Sequence, residues 1–173
     1  KAYPAGPNAG KFAPMPLAWM SRSGCEMRGL THRFRGLEAE IAFLIGEDLP
    51  PREIDYTQEE VVAAIASCHP AIEVIETVLI DPLQTTRLTM IADLQIHGGF
   101  VHGDAVPDWQ SIDFTRERVA LAVDGAVRIE RTGSNTSGDL VGLLPWLANE
   151  GAARTGGLKK GDWVTTGSWT GLT

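Results

Sequence analysis

The sequence predicts an α+β domain built on a mixed, curved β-sheet, a β-roll or flattened barrel, with two main helices. Three observations point there. Strand-like segments outnumber helical ones, long irregular connections separate the strands, and Asp124-Gly125 stands between two β-rich runs as a two-residue hairpin turn. A doubly wound fold would need a helix between successive strands, and the chain has too few.

From the N-terminus, residues 1 to 36 carry Pro4, Gly6, Pro7, Gly10, Pro14 and Pro16, and read as loop with short strands near Lys11–Phe12 and Pro16–Met20. Leu37 to Ile45, LEAEIAFLI, reads as a strand between Gly36 and Gly46. Thr57-Gln-Glu-Glu60 has capping-box spacing, and Val61, Val62, Ile65 and Ala66 continue it as an apolar stripe. That predicts a helix over about 58 to 68, ended by Pro70. Ile72 to Ile80 is dense in β-branched residues and reads as a buried strand. Leu88 to Ala92 forms a short helical turn before Gly98-Gly99-Phe100-Val101, and Val119 to Val123 pairs with Val127 to Arg131 across Asp124-Gly125. Leu140 to Arg154 has helical periodicity, with Asp139 or Ser137 as N-cap, Gly156-Gly157 as stop, and Pro145 at a kink or in the first turn. Trp163 to Thr166 reads as a last strand.

Length and composition set the functional bounds. A chain of 173 residues makes one domain, spanning 1–173, that buries roughly two-thirds of its unfolded surface. With 43% hydrophobic and 21% charged residues it is a folded globular chain rather than a disordered one. Fifteen Lys plus Arg against 22 Asp plus Glu give a net charge of -7, the wrong sign for a nucleic-acid or anionic-membrane partner. No apolar run approaches the ~20 residues that span a bilayer. Two cysteines, Cys25 and Cys68, are too few for a disulfide framework, and no secretory signal pattern opens the chain, so a reducing cytoplasm is the expected compartment. Gly6-Pro-Asn-Ala-Gly10-Lys11 lacks the spacing and the hydroxyl residue of a phosphate loop.

The most informative chemistry lies in the strand Leu37 to Leu44. Alternate residues share a face, so Glu38 and Glu40 point the same way, roughly 7 Å apart, on a strand whose faces are otherwise apolar. Such a pair marks a strand end facing water, or it is compensated by a cation. Glu73 and Glu76 in the following apolar strand offer a third carboxylate. An all-oxygen donor set without a His or Cys cluster suits a hard cation, Mg²⁺ or Mn²⁺, and electrophilic chemistry at a carbonyl.

The order of motifs resembles the fumarylacetoacetate hydrolase superfamily, nearest its 2-keto-4-pentenoate hydratase and 2-oxo-hepta-3-ene-1,7-dioate hydratase branch. The resemblance rests on Gly36-Leu-Glu-Ala-Glu-Ile-Ala-Phe-Leu-Ile-Gly46, His69-Pro-Ala-Ile-Glu-Val74, Ile91-Ala-Asp, Gly98-Gly-Phe-Val-His-Gly103 and Leu158-Lys-Lys-Gly-Asp-Trp-Val-Thr-Thr-Gly-Ser168. It implies a β-roll catalytic domain with one divalent metal held by Glu38, Glu40 and Glu73, leaving Glu76 as an ordinary strand residue. It further implies a 2-oxo acid substrate that chelates the metal and reacts through a stabilised enolate. Lys1 matches the lysine of a Gly-Tyr-Lys motif by its distance from the later motifs, and Thr166, Gly167 and Ser168 match a turn lining the substrate end of the site.

Two departures stand out. Where hydratase relatives carry an Asp-Phe-Gly-like stretch, this chain has Phe12-Ala-Pro-Met-Pro16, and where they read Ala-Asp-Asn it has Ala92-Asp93-Leu94. Asp93, and the histidines His97 and His102, are the remaining acid–base candidates. The expectation is a metal-dependent hydratase of 2-oxo acids in aromatic-compound catabolism. Acylpyruvate-type C–C hydrolysis, 2-oxo acid decarboxylation and a non-catalytic binding role are the alternatives. Resemblance and the tryptophan-rich C-terminal third imply a homodimer or larger. The start at Lys1 without an initiator Met, and the stop soon after the Thr-Gly-Ser turn, lead us to expect a missing N-terminal helical segment and a missing closing strand.

Overall fold

A computed structural model describes residues 2–6, 9–28, 34–135 and 138–173, with side chains from residue 10 onward. Strands β1 (Ala2–Gly6) and β2 (Ala9–Phe12) form an antiparallel ribbon. Next come β3 (Met20–Arg22), β4 (Gly36–Ile45), α1 (Gln58–Ala63), β5 (Ile65–Ile75), α2 (Arg87–Ala92) and β6 (His97–His102). The hairpin β7 (Arg118–Val123) and β8 (Ala126–Thr132), α3 (Leu143–Trp146) and β9 (Trp163–Thr165) complete the chain. The central sheet has the order β3-β6-β5-β4-β9, with β3 parallel to β6 and the other neighbours antiparallel, so the α+β, mixed-sheet expectation holds.

The long pair β4 and β5 sets the two faces of the sheet, with Glu38 opposite Glu73 and Ala42 opposite His69. Phe43 and Cys68 face the main core, where they meet Trp109, Leu140, Leu144, Leu147 and Trp169. The opposite face carries Ala42, Ala71 and Phe100 under Met15, Met20 and Trp163. By the two-residue period, the three glutamates project from this second face.

Several elements differ from expectation. The helix is capped as predicted, Thr57 accepting from the Glu60 N–H and Glu60 from the Thr57 N–H, but it ends at Ala63. Ile65 already pairs with β4, and Pro70, expected to end the helix, lies inside β5. Pro70 is tolerated because Ile41 directs its carbonyl to Thr166 on the β9 side, while Pro70 faces Gly103, just past the end of β6. No bond to β4 is lost there, and the Pro70 carbonyl still accepts from the Gly103 N–H. Residues 76–80 leave the sheet despite their β-branched composition, and Val78 and Ile80 are 78% and 96% exposed. Glu76 Oε1 accepts the Phe34 and Thr77 N–H groups and turns the chain. The Pro16–Met20 segment is a 3₁₀ turn at Leu17–Trp19 rather than a strand.

The C-terminal helical segment begins at Leu143, so Pro145 falls in the first turn, where its missing N–H goes unnoticed. Asp139 caps the preceding turn by accepting from the Gly142 N–H, and Ser137 lies outside the described residues. A π-turn at Leu147–Gly151 and a 3₁₀ turn at Ala152–Thr155 follow, and the positive φ of Gly156 and Gly157 ends the segment. The hairpin turns at Asp124-Gly125, both at positive φ. Among the described residues, no helix is long and apolar enough to cross a membrane.

Candidate metal centre

Glu38 and Glu40 come from β4 and Glu73 from β5, and one carboxylate oxygen of each lies within 4.8 Å of the others. Glu40 is 3% exposed and Glu73 fully buried. Three carboxylates crowded together repel one another, and the two buried ones also lose hydration. The protein meets part of that cost with donors. Glu40 Oε2 accepts from the Thr165 hydroxyl and from the Gly167 N–H at 3.2 Å. Glu73 Oε1 is 2.8 Å from His97 Nδ1. Donors of this kind hold a carboxylate ionised, which is the form a cation binds, and the hard oxygen donor set fits Mg²⁺, Mn²⁺ or Ca²⁺.

Strand β9 supplies the Glu40 contacts. Thr165 pairs with Ala42 and so shares the Glu40 face of the sheet, while Gly167, at φ +92°, turns the chain back so that its N–H meets the same oxygen. The neighbouring Thr166 points the other way, its hydroxyl donating to the Ile41 carbonyl at 3.0 Å. Ser168 Oγ accepts from the Gly171 N–H at 2.9 Å. Of the expected Thr166-Gly167-Ser168 turn, Gly167 is the member in contact with the glutamates, and Thr165 is the contact that sequence reasoning missed. Its only signal was strand parity.

The other candidates are spread around this core. Asp93, at the end of α2, accepts from the Thr77 hydroxyl and the Val78 N–H, tying down the segment that leaves β5 rather than joining the cluster. Lys1 lies outside the described residues. His102 and His69 both approach the Gly103 carbonyl through Nδ1 and pack on Trp163. His97 is the histidine that reaches the glutamates. His97 also lines a cavity of about 310 Å³, otherwise lined mainly by apolar groups including Phe12, Met15, Met20, Phe100, Leu147 and Trp163.

No family-wide sequence profile matches the chain. It is 30% identical over 159 residues to a 2-keto-4-pentenoate hydratase from Burkholderia vietnamiensis (strain G4 / LMG 22486), an alignment covering 92% of this chain and 55% of that protein. Its fold is similar to 4-oxalocrotonate decarboxylase from Pseudomonas putida G7 complexed with calcium and acetate. There the TM-score is 0.71 at 22% identity, over 90% of this chain and 57% of that one. A protein assigned to the fumarylacetoacetate hydrolase family from Yersinia pestis CO92 gives a TM-score of 0.57 at 19% identity, over 83% and 66% of the two chains. The chain spans little more than half the length of the hydratase and of the decarboxylase. In sequence the chain is thus similar to the hydratase, and in fold it is similar to the decarboxylase and to the protein assigned to the fumarylacetoacetate hydrolase family.

Proposed function

We propose that this protein is a divalent-cation-dependent lyase of 2-oxo acids that hydrates a 2-hydroxypenta-2,4-dienoate-type substrate, with Mg²⁺ or Mn²⁺ as its cation. The observation that carries the reading is the cluster of partly buried Glu38 with buried Glu40 and Glu73, one carboxylate oxygen of each lying within 4.8 Å of the others. A cation bound there supplies Lewis-acid stabilisation of the negative charge that develops on a substrate keto oxygen. The chain's own part is to hold and orient. Thr165 and Gly167 fix Glu40, and the apolar cavity beside His97 shields the carbon chain of the substrate from water.

Hydration is favoured over its rivals by the 30% identical relative, which is a 2-keto-4-pentenoate hydratase. Decarboxylation is the second reading, supported by the fold shared with 4-oxalocrotonate decarboxylase. The two reactions place charge on the same oxygen and differ in which bond then forms or breaks. The test is an assay of the purified full-length protein with Mg²⁺ against a 2-hydroxydienoate, an acylpyruvate and oxaloacetate. Turnover of the dienoate is expected, and turnover of only the other two removes the hydratase assignment.

A further inference from the structure

His97 makes a contact that holding a cation by three glutamates does not require. Its Nδ1 lies 2.8 Å from Oε1 of Glu73, with the two side chains 2% and 0% exposed. Its Nε2 is also buried and has no hydrogen-bond partner among the described residues. Leaving a ring nitrogen dry and unpartnered is costly, so filling space does not account for a histidine at this position. A carboxylate that serves a cation is ionised and can only accept, which puts the hydrogen on Nδ1 and makes the imidazole the donor. The ring is steadied by Trp19, stacked on it at 5.9 Å between centroids with 21° between the planes. Both residues of the pair are anchored on neighbouring strands of the sheet, His97 at the start of β6 and Glu73 near the end of β5.

We propose that His97 is a positioning residue. Its Nδ1–H holds one oxygen of Glu73 and thereby leaves the other turned toward Glu38 and Glu40, so that the three carboxylates meet a cation already oriented. The role acts through Glu73 and rests on the cation site proposed above. It follows the general pattern in which a partner outside the ligand set fixes the orientation of a ligating group, with losses of roughly 10- to 100-fold in metal affinity when that partner is removed.

Calorimetric titration of Mg²⁺ into the purified chain tests this, comparing the parent with His97→Asn, His97→Gln and His97→Ala, and recording the metal-free melting temperature of each. An Asn side chain places its amide nitrogen where histidine has Nδ1, whereas Gln places it near Nε2. The expected order is therefore specific: Asn keeps Mg²⁺ affinity within about threefold of the parent, while Gln and Ala lose roughly 10-fold or more. A merely structural histidine would lower the melting temperatures of Asn and Gln variants without sorting their affinities. If Ala does not fold, the Asn and Gln pair still decides. Equal affinity for Asn and Gln, or parent-like affinity for Ala, overturns the assignment and leaves the metal site standing. A parent that binds no Mg²⁺ removes the metal site and the His97 role together.

Discussion

Glu38 on β4 and Glu73 on β5 stand directly opposite one another in the antiparallel register, a like-charge cross-strand pair between two inner strands of the sheet. Directly opposed like charges destabilise a sheet, and burial of Glu73 sharpens the cost. Glu40 joins them from the next position on the same face of β4. An arrangement that burdens folding in this way makes sense when something positive is bound between the strands, and its consequences can be measured.

Glu40→Gln keeps the shape of the side chain and removes one ligand charge. It is expected to abolish turnover and weaken Mg²⁺ binding, while the metal-free protein melts no lower than the parent. Thermal melting and calorimetric titration check this. Parent-like Mg²⁺ affinity in the variant would show that the strand glutamates are not ligands.

The glutamates were legible in the sequence because the strand period is short and strict. Two acids at i and i+2 in an apolar run can only share a face, and the following β-rich run contains the third. What the sequence did not disclose is register. Thr165 and Thr166 are alike on paper, and pairing of Thr165 with Ala42 decides which hydroxyl meets Glu40. The same holds for His97, whose link to Glu73 depends on β6 lying beside β5 across a connection of about twenty residues. The end of β5 was misread for a different reason. Val78 and Ile80 look like strand residues, but side-chain carboxylates of Glu76 and Asp93 take the backbone donors that a ladder would have used.

Mg²⁺ should stabilise the fold itself. A ligand that binds only the native state contributes RT ln(1 + [L]/Kd), about 2.7 kcal/mol at a hundredfold excess over Kd. For a domain of this size that corresponds to a melting-temperature rise of roughly 5–10 °C, reversed by EDTA. An unchanged melting curve at saturating Mg²⁺ and Mn²⁺ contradicts a three-carboxylate site.

The two adjacent threonines of β9 separate ligand support from strand support. Thr165→Val removes a donor from Glu40 and is expected to weaken Mg²⁺ binding by about 10-fold. Thr166→Val removes the bond to the Ile41 carbonyl and is expected to cost about 1 kcal/mol of stability with Mg²⁺ affinity intact. Denaturant melts combined with titration distinguish the pair, and interchanged effects would mean that the register of β9 is wrong.

The two cysteines provide a check on the core that is independent of the metal. Cys25 is exposed, whereas Cys68 is buried against Phe43 in the main core, and burial pushes its thiol up from an ordinary 9.0 to about 12. At pH 8, a disulfide reagent should therefore titrate one thiol per native chain rapidly and the second only after denaturant is added. The same shift gives alkaline stability a sign. Below pH 9.0 the Cys68 thiol is neutral in both folded and unfolded chains, and the contribution of its burial is complete. As pH rises from there toward about 12, the unfolded chain releases the proton while the folded chain keeps it, so stability falls across that window. Cys68→Ala removes this part of the slope, at the cost of a small cavity that lowers stability equally at all pH values. Equal reactivity of both thiols in the native protein, or an unchanged alkaline slope in the variant, would place Cys68 outside the core and break the packing of β5 on the segment around Trp109 and Leu144.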